Sequence, residues 1–173
     1  MNKQVWIEKA LGLGIQEFEI YQSTTVEKEM TWFQGQMDTL VSSKVTGTSI
    51  RGIVDGKMAN MALEEIDDSM CETVLKSLIE QAHIISNEET DSLRKPEPIE
   101  YAKKDVTWNM ASTEYVKDVL QSLEAKILAY DPRVIQVGYL GYSQGSGSRS
   151  IVNSLGMDVQ DADEMQYIVA SVV

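Results

Sequence analysis

The pair Asp55–Gly56 lies between two runs of alternating residues, 48–55 and 57–63. An Asp-Gly pair tolerates the positive φ angles that a tight two-residue hairpin turn requires. The pattern therefore predicts two antiparallel strands that meet at this turn. It is the clearest hairpin in the chain, and it favours antiparallel sheet as the basis of the first half.

Alternating residues also precede the hairpin. Phe18 and Ile20 alternate with polar neighbours, which is the period of two that a half-buried strand shows. The alternation resumes at Val26, so the segment is either one long strand or two strands with a bend near residues 23–25. Residues 36–43 are interpreted as a further strand. The first half is therefore predicted to hold about four antiparallel strands.

Three segments carry apolar residues at helical spacing. Ser69 and Glu72 have the S-x-x-E spacing of a capping box, which predicts that the second of these helices begins at Ser69. Gly12 and Gly14 end the first one, as glycine commonly does at helix C-termini. The predicted helices cover residues 3–13, 69–85 and 112–130.

Three strands are predicted after the last helix. The glycines of residues 145–147 favour a flexible hairpin turn between the first two strands. Residues 153–156, Asn-Ser-Leu-Gly, mark a second turn. The acidic residues within 158–164 are interpreted as a solvated turn before the last strand. The predicted strands cover residues 134–144, 148–154 and 166–173.

Together these elements predict the α+β class, with an antiparallel β-sheet and three main helices packed on it. The length of 173 residues suits a single α+β domain, residues 1–173. The polar segment 87–107 holds two of the three prolines and is interpreted as a linker. It would separate two possible sub-lobes, 1–86 and 108–173.

Composition restricts the classes of function. The chain carries 27 acidic and 15 basic residues, a formal net charge of -12. Such a charge repels phosphate backbones and anionic lipid, so we expect neither direct nucleic-acid binding nor membrane binding. The single cysteine, Cys71, excludes a disulfide within the chain and favours a reducing, cytoplasmic location. Neither a signal-peptide pattern nor an apolar run of membrane-spanning length occurs in the sequence.

The sequence offers few groups for catalysis or metal binding. His83 is the only histidine, and its helical neighbour Glu80 would make two ligands, which is too few for a metal site. The acidic residues within 158–164 lack the spacing of a calcium loop. A glycine-rich turn over residues 145–147, followed by Arg149, can hold a phosphate group, although no helix follows to add its dipole. We predict no catalytic residue and no metal ligand in this chain.

Three motifs, taken in their order along the chain, carry a family resemblance. They are G-x-x-D-x-L at residues 35–40, G-x-x-I-R-x-x-x-D-G-K at 47–57 and R-x-I-x-N-S-x-G at 149–156. With the helix and strand order around them, they resemble the N-terminal region of the TldD/PmbA family, the "modulator of DNA gyrase" proteins. The resemblance covers nearly the whole chain. Its last motif supplies the candidate binding residues, which are Arg149, Asn153 and Ser154.

The resemblance implies a role in a zinc metallopeptidase assembly that acts on unfolded peptides. Members of the family are longer, and TldD-type members bind zinc in a later β domain. Neither that C-terminal catalytic-type domain nor a zinc ligand occurs in this sequence, so the cofactor would belong to a partner or to a domain beyond Val173. The lack of a histidine-rich motif leans toward the PmbA (TldE) branch. The implied partners are a TldD/PmbA-type subunit or a second copy, together with an unfolded peptide.

These observations leave three hypotheses open. The leading one is a non-catalytic N-terminal module that shapes a peptide chamber and makes subunit contacts. In that case the last strand, which reaches Val173, would continue into a longer protein. The alternative is a stand-alone protein-interaction domain that modulates gyrase or a toxin–antitoxin component. A third hypothesis is a phosphate-ligand domain that uses residues 145–149.

Overall fold

The computed structural model describes residues 1–64, 66–86, 90–98 and 111–173. These residues form three α-helices and a five-stranded antiparallel sheet with the strand order β3-β2-β1-β4-β5, which confirms the predicted α+β class. The elements are α1 (Lys3–Gly12), β1 (Glu17–Phe33), β2 (Gln36–Val54), β3 (Lys57–Leu63), α2 (Cys71–Ile84), α3 (Thr113–Tyr130), β4 (Val137–Asn153) and β5 (Asp158–Val172).

The predicted hairpin is confirmed. Strands β2 and β3 pair antiparallel, from Val54 opposite Lys57 at the turn to Thr48 opposite Leu63. The two turn residues, Asp55 and Gly56, have φ angles of +49° and +76°. Both angles lie in the left-handed region that Asp and Gly adopt most readily in such turns, so local chemistry accounts for the turn position.

Two strands of the first half of the chain are longer than predicted. Strand β1 runs unbroken from Glu17 to Phe33, which settles the choice between one strand and two. Strand β2 is also continuous, so the separate strands predicted over 36–43 and 48–55 are parts of one strand. The residues between them, 44–47, end on Gly47, which weakens the local strand signal. They adopt strand geometry because β2 pairs with β1 along the sheet.

The glycine-rich turn predicted at residues 145–147 is wrong. These residues lie inside β4, which is continuous from Val137 to Asn153. Gln144 and Ser146 are buried on one face of the strand, with exposed fractions of 1% and 7%. Because β4 lies beside β1 in the sheet, ladder pairing overrides the turn preference of glycine.

The solvated acidic turn predicted within residues 158–164 is also wrong, because strand β5 begins at Asp158. Ala162 is buried while Asp161 and Asp163 on either side of it are exposed, which is the alternation of a strand with one covered face. The Asp161 and Asp163 side chains therefore belong to the exposed face of a strand. The turn itself is at the Asn-Ser-Leu-Gly motif, where Gly156 has a φ angle of +95°.

The chain divides into two compact units that are discontinuous in sequence. The first comprises the described residues of Met1–Thr24, Thr46–Asp105 and Ser148–Asp161, and the second comprises those of Thr25–Val45, Val106–Gly147 and Ala162–Val173. The long strands contribute residues to both units. The predicted sub-lobes, and a linker over 87–107 that lies partly outside the described residues, stay a prediction.

In the first unit, helices α1 and α2 cover one face of the sheet. Strand residues Phe18, Ile20 and Ile50 pack there against Trp6 and Leu75, and all five side chains are inaccessible to solvent. Full burial of an apolar side chain of this size stabilises the fold by roughly 1.5–3 kcal/mol. The described helices include none with both the length and the apolar character of a transmembrane span.

The capping box predicted for Ser69 and Glu72 is wrong, because each of these residues has a different partner. Helix α2 begins at Cys71, after a short 3-10 turn over Asp68–Met70. The Asp67 carboxylate accepts hydrogen bonds from the backbone N–H and the hydroxyl of Ser69, at 2.7 and 2.5 Å, and so caps this turn. Glu72 instead forms an ion pair with Lys76 at 2.7 Å. A charged carboxylate is the stronger acceptor at a helix start, where backbone N–H groups point outward.

In the second unit, α3 packs on the sheet through Val116 and Leu120, which contact a cluster that includes Met30, Trp32 and Leu140. The helix begins and ends within one residue of its prediction. The Ser112 hydroxyl accepts a hydrogen bond from the Tyr115 N–H at 3.1 Å, which is ordinary N-cap geometry.

Gly52 provides a test of how closely α2 approaches the sheet. A Cβ at this position would lie 3.0 Å from Ile15 Cγ2 and 3.0 Å from Leu78 Cδ2. We expect Gly52→Ala to lower the free energy of unfolding by about 1–3 kcal/mol through overpacking. Urea denaturation followed by circular dichroism measures this. Gly47→Ala is the control, because its nearest contact would be Ser23 Oγ at 3.9 Å; equal losses from both variants would contradict the prediction.

Candidate functional site

One face of the sheet in the first unit carries a cleft lined by charged and apolar side chains. The alternation that buries Phe18 and Ile20 under the helices places Glu19 and Tyr21 on the opposite face. Two adjoining cavities open there, with volumes of about 470 and 390 Å³. Ile151 of β4 and Val159 of β5 line both cavities, so we treat them as a single cleft.

A buried carboxylate forms the floor of this cleft. Glu19 is only 3% exposed; its Oε1 accepts a hydrogen bond from Nε of Arg51 at 2.7 Å and forms an ion pair with Nη2 of the same side chain at 2.7 Å. Its Oε2 accepts a hydrogen bond from the Asn153 side-chain amide at 3.2 Å. The Arg51 side chain is 44% exposed, so the guanidinium group extends from the floor into the cleft. Each oxygen of the buried charge thus has a partner.

Asn153, one of the predicted binding residues, connects this floor to the turn between β4 and β5. It is 4% exposed, and its Oδ1 accepts hydrogen bonds from the backbone N–H groups of Leu155 and Met157, both at 3.0 Å. Its amide nitrogen donates to Glu19 and to the Arg94 carbonyl oxygen at 2.9 Å. All these bonds hold the chain itself, and a role in ligand binding stays a prediction.

The other two predicted binding residues occupy different environments. The Ser154 hydroxyl accepts a hydrogen bond from the Phe18 N–H at 2.9 Å, and the Ser154 N–H donates to the Phe18 carbonyl at 2.8 Å. Arg149 is exposed on β4 and lines the smaller cavity of the cleft. The structure therefore brings Arg149 to a cavity, whereas Ser154 joins the end of β4 to the start of β1.

Residues 90–98 form the rim of the cleft. Leu93 is buried, and its N–H donates to the Glu17 carboxylate at 2.5 Å. This places Arg94 and Glu97, which form an ion pair with each other, along the cavity wall. No sequence pattern indicated either residue, because the polar composition of this segment predicted only a linker. The sequence did contain a signal for Glu19, because it alternates with the buried apolar residues Phe18 and Ile20 in a strand pattern.

The residues that the structure describes do not fit a zinc site. Within the described ranges, no three His, Cys, Asp or Glu side chains are grouped closely enough to hold a metal ion. His83 lies on the exposed surface of α2, with Nε2 3.6 Å from Asp55 Oδ2. Cys71 is buried at the start of the same helix, and burial raises the pKa of its thiol, which disfavours the thiolate that binds zinc. That zinc is held outside this chain stays a prediction.

The second unit presents a different surface, at the edge of the described sheet. Strand β5 is the last strand in the order, and all its residues from Asp163 onward are exposed. The exposed fractions of its large apolar side chains lie between 41% and 67%. These residues are Met165, Tyr167, Ile168, Val169, Val172 and Val173, and they define the β5 edge.

A groove of about 360 Å³ lies beside the β5 edge, between that strand and α3. Tyr115, Val119 and Ile168 are among its apolar lining residues. The Tyr142 hydroxyl supplies a polar group there, and it donates to Gln144 Oε1 at 2.5 Å. An apolar groove with a few polar groups is the usual form of a binding pocket.

Comparison with known proteins gives consistent matches along most of the chain. Residues 18–86 match the family model of "PmbA/TldA metallopeptidase domain 1", and residues 107–173 match that of the "PmbA/TldA metallopeptidase central domain". No curated protein matches the chain significantly.

Solved structures share the fold. A proposed modulator of DNA gyrase from Thermotoga maritima is 19% identical, with a TM-score of 0.77 over 97% of this chain and 38% of its own length. TldE from Thermococcus kodakarensis is 18% identical, with a TM-score of 0.77 over 98% of this chain and 38% of its own length. A proposed modulator of DNA gyrase from Bacteroides thetaiotaomicron is also 18% identical, with a TM-score of 0.73 over 98% of this chain and 39% of its own length.

This chain therefore spans less than half the length of the structures that it resembles. The two matched models are the first and the central domain of one family, in that order along the chain. The matches confirm the resemblance that the three sequence motifs indicated. The chain belongs to the PmbA/TldD metallopeptidase family and corresponds to its N-terminal region.

Proposed function

We propose that this chain is a non-catalytic N-terminal module of a TldD/PmbA-type metallopeptidase assembly, on the PmbA (TldE) branch. Its role is to contact a partner subunit and to form part of the wall against which an unfolded peptide lies. Catalytic zinc belongs to another domain or subunit in this proposal. The proposal also places the protein in the cytoplasm, with the single cysteine as its supporting feature.

The β5 edge is the observation that carries this proposal. Residues 165–173 contain no charged side chain, in a protein whose net charge is -12. An exposed, uncharged edge strand offers backbone N–H and C=O groups for pairing with another extended segment. Pairing of this kind depends on the main chain, so it accepts peptides of many sequences. The adjoining groove beside α3 would accept an apolar side chain of such a segment.

Proline substitution at the β5 edge tests strand pairing directly. Adjacent residues of a strand direct their N–H groups to opposite sides, so the N–H group of either Ile168 or Val169 points away from β4. Proline is therefore introduced at each of the two positions in turn. Proline at the outward position removes a donor that an added strand would use, while the ladder with β4 stays intact. We expect that variant to stay folded and to lose about tenfold or more in affinity for a labelled unfolded peptide, measured by fluorescence anisotropy.

Met37→Lys is the matched control, because Met37 is an exposed apolar residue of β2 outside the β5 edge. It should bind the peptide as the unmodified chain does. The purified chain should also cleave nothing and bind no stoichiometric zinc. Zinc-dependent cleavage by this chain, or unchanged affinity in both proline variants, would overturn the proposal. Binding of a folded protein without any peptide binding would instead support the stand-alone interaction domain.

A further inference from the structure

A further cavity in the first unit adjoins the cleft, with which it shares Arg149, Ser150 and Gln160, and extends to α1. Its volume is about 340 Å³, and α1, β1, β4 and β5 all contribute side chains to it. Most of the lining is polar and includes Lys3, Gln22, Thr24, Ser148, Ser150 and Asp158. The family motif at residues 149–156 accounts for Arg149 in this lining, but for neither Lys3 nor Ser148.

Lys3 is the main cationic group on the helix side of this cavity. It is the first residue of α1, and its Nζ donates a hydrogen bond to Ser150 Oγ at 2.5 Å. Partial burial lowers the pKa of Lys3, and the nearby Asp158 carboxylate opposes that shift. An ammonium group has three N–H donors, and Ser150 accepts only one of them.

The strand side of the cavity is rich in hydroxyl groups. Ser148 and Ser150 project from β4 on the same face, two residues apart, and Thr24 projects from β1. Thr24 is held in place by a hydroxyl contact to Thr46 at 2.9 Å. A serine hydroxyl rotates to donate a hydrogen bond wherever an acceptor is present. The wall can therefore supply several donors to one small ligand.

The charge of the lining differs from that of the whole protein. Lys3 and Arg149 contribute two positive charges and Asp158 contributes one negative charge, so the lining is net positive while the chain is at -12. A partly desolvated ammonium group among hydroxyl donors favours an anionic acceptor. The acceptor that suits this donor set is a compact oxyanion, that is, a phosphate or a carboxylate group.

We propose that this cavity, which we term the Lys3 cavity, binds a small oxyanion through the Lys3 ammonium and the hydroxyls of Ser148 and Ser150. The site shares Ser148 and Arg149 with the phosphate-ligand hypothesis for residues 145–149, but strand side chains and a helix lysine form it in place of a glycine loop. It goes beyond the peptide role proposed above and is supported by separate observations.

An NMR titration of the complete chain with inorganic phosphate, and separately with acetate, tests this site. We expect saturable shifts of the Ser148 and Ser150 amide signals. Lys3→Gln should weaken binding about tenfold, the effect of losing one charge-assisted hydrogen bond. Asp158→Asn should strengthen binding severalfold, because it removes the negative charge of the lining. Saturation by phosphate alone would assign a phosphate ligand, and saturation by acetate alone would assign a carboxylate.

Two further variants separate a specific site from general charge effects. Lys117→Gln removes one charge from the exposed surface of α3, outside the Lys3 cavity, and should bind as the unmodified chain does. Lys3→Arg keeps the charge and should retain most of the affinity. Shifts that never saturate, or equal losses for Lys3→Gln and Lys117→Gln, would overturn the proposal.

Discussion

Asn153→Ala is expected to lower the free energy of unfolding by about 3–5 kcal/mol, because each buried group left without a partner costs about 1–3 kcal/mol. The Asn153 side chain accepts two backbone hydrogen bonds, from Leu155 and Met157, and donates to Glu19 and to the Arg94 carbonyl. Alanine removes all four bonds at a site that is only 4% exposed. The loss should loosen both the turn after β4 and the floor of the cleft.

Urea denaturation followed by circular dichroism measures this loss. Asn60→Ala is the matched control, because Asn60 is exposed on β3 and the change should cost less than about 0.5 kcal/mol. Similar values for the two variants would contradict the structural role of Asn153. The result also bears on function, since Asn153 belongs to the R-x-I-x-N-S-x-G motif. A binding defect in this variant is informative only after its loss of stability has been measured.

Glu124→Ala is expected to lower the free energy of unfolding by about 2–4 kcal/mol, because it leaves two donors without an acceptor. Glu124 lies on α3 and is 8% exposed. Its Oε2 accepts hydrogen bonds from Trp32 Nε1 at 2.8 Å and from the Gly35 N–H at 2.9 Å. Gln34 and Gly35 form the turn between β1 and β2, with φ angles of +49° and +79°. One carboxylate thus attaches this turn to the helix.

The isosteric variant separates hydrogen bonding from packing. Glu124→Gln keeps an acceptor oxygen in place, so it should cost less than half as much as Glu124→Ala. The indole N–H signal of Trp32 should move in the alanine variant and stay near its position in the glutamine variant, as measured by NMR. Equal destabilisation by both variants, with an unmoved indole signal, would show that the two hydrogen bonds do not stabilise the fold.

The roles of these two residues are not visible in any local sequence pattern. Glu124 lies in a helix with a regular apolar stripe, where a charged residue on the buried side looked like an ordinary surface residue. Asn153 was identified from the family motif as a binding candidate. Its four internal hydrogen bonds connect residues up to 134 positions apart, and no local pattern indicates such contacts.

Local patterns were sufficient for the elements that local chemistry determines. The hairpin at Asp55–Gly56 and the helix that Ser112 caps were predicted nearly in full, because turn geometry and capping depend on adjacent residues. The same reasoning failed at residues 145–147 and 158–164. Those segments have the composition of turns and become strands because neighbouring strands supply their hydrogen bonds.

The sequence by itself determined the α+β class, the positions of the three helices and, through three short motifs, the family. Only the tertiary structure decided where the chemical groups meet. Glu19 contacts Arg51 and Asn153 because the sheet order places β1 between β2 and β4, and Lys3 contacts Ser150 where α1 meets β4. The physical reason is that periodicity and turn preference act over a few residues, whereas hydrogen bonds between strands join residues that are far apart in the chain.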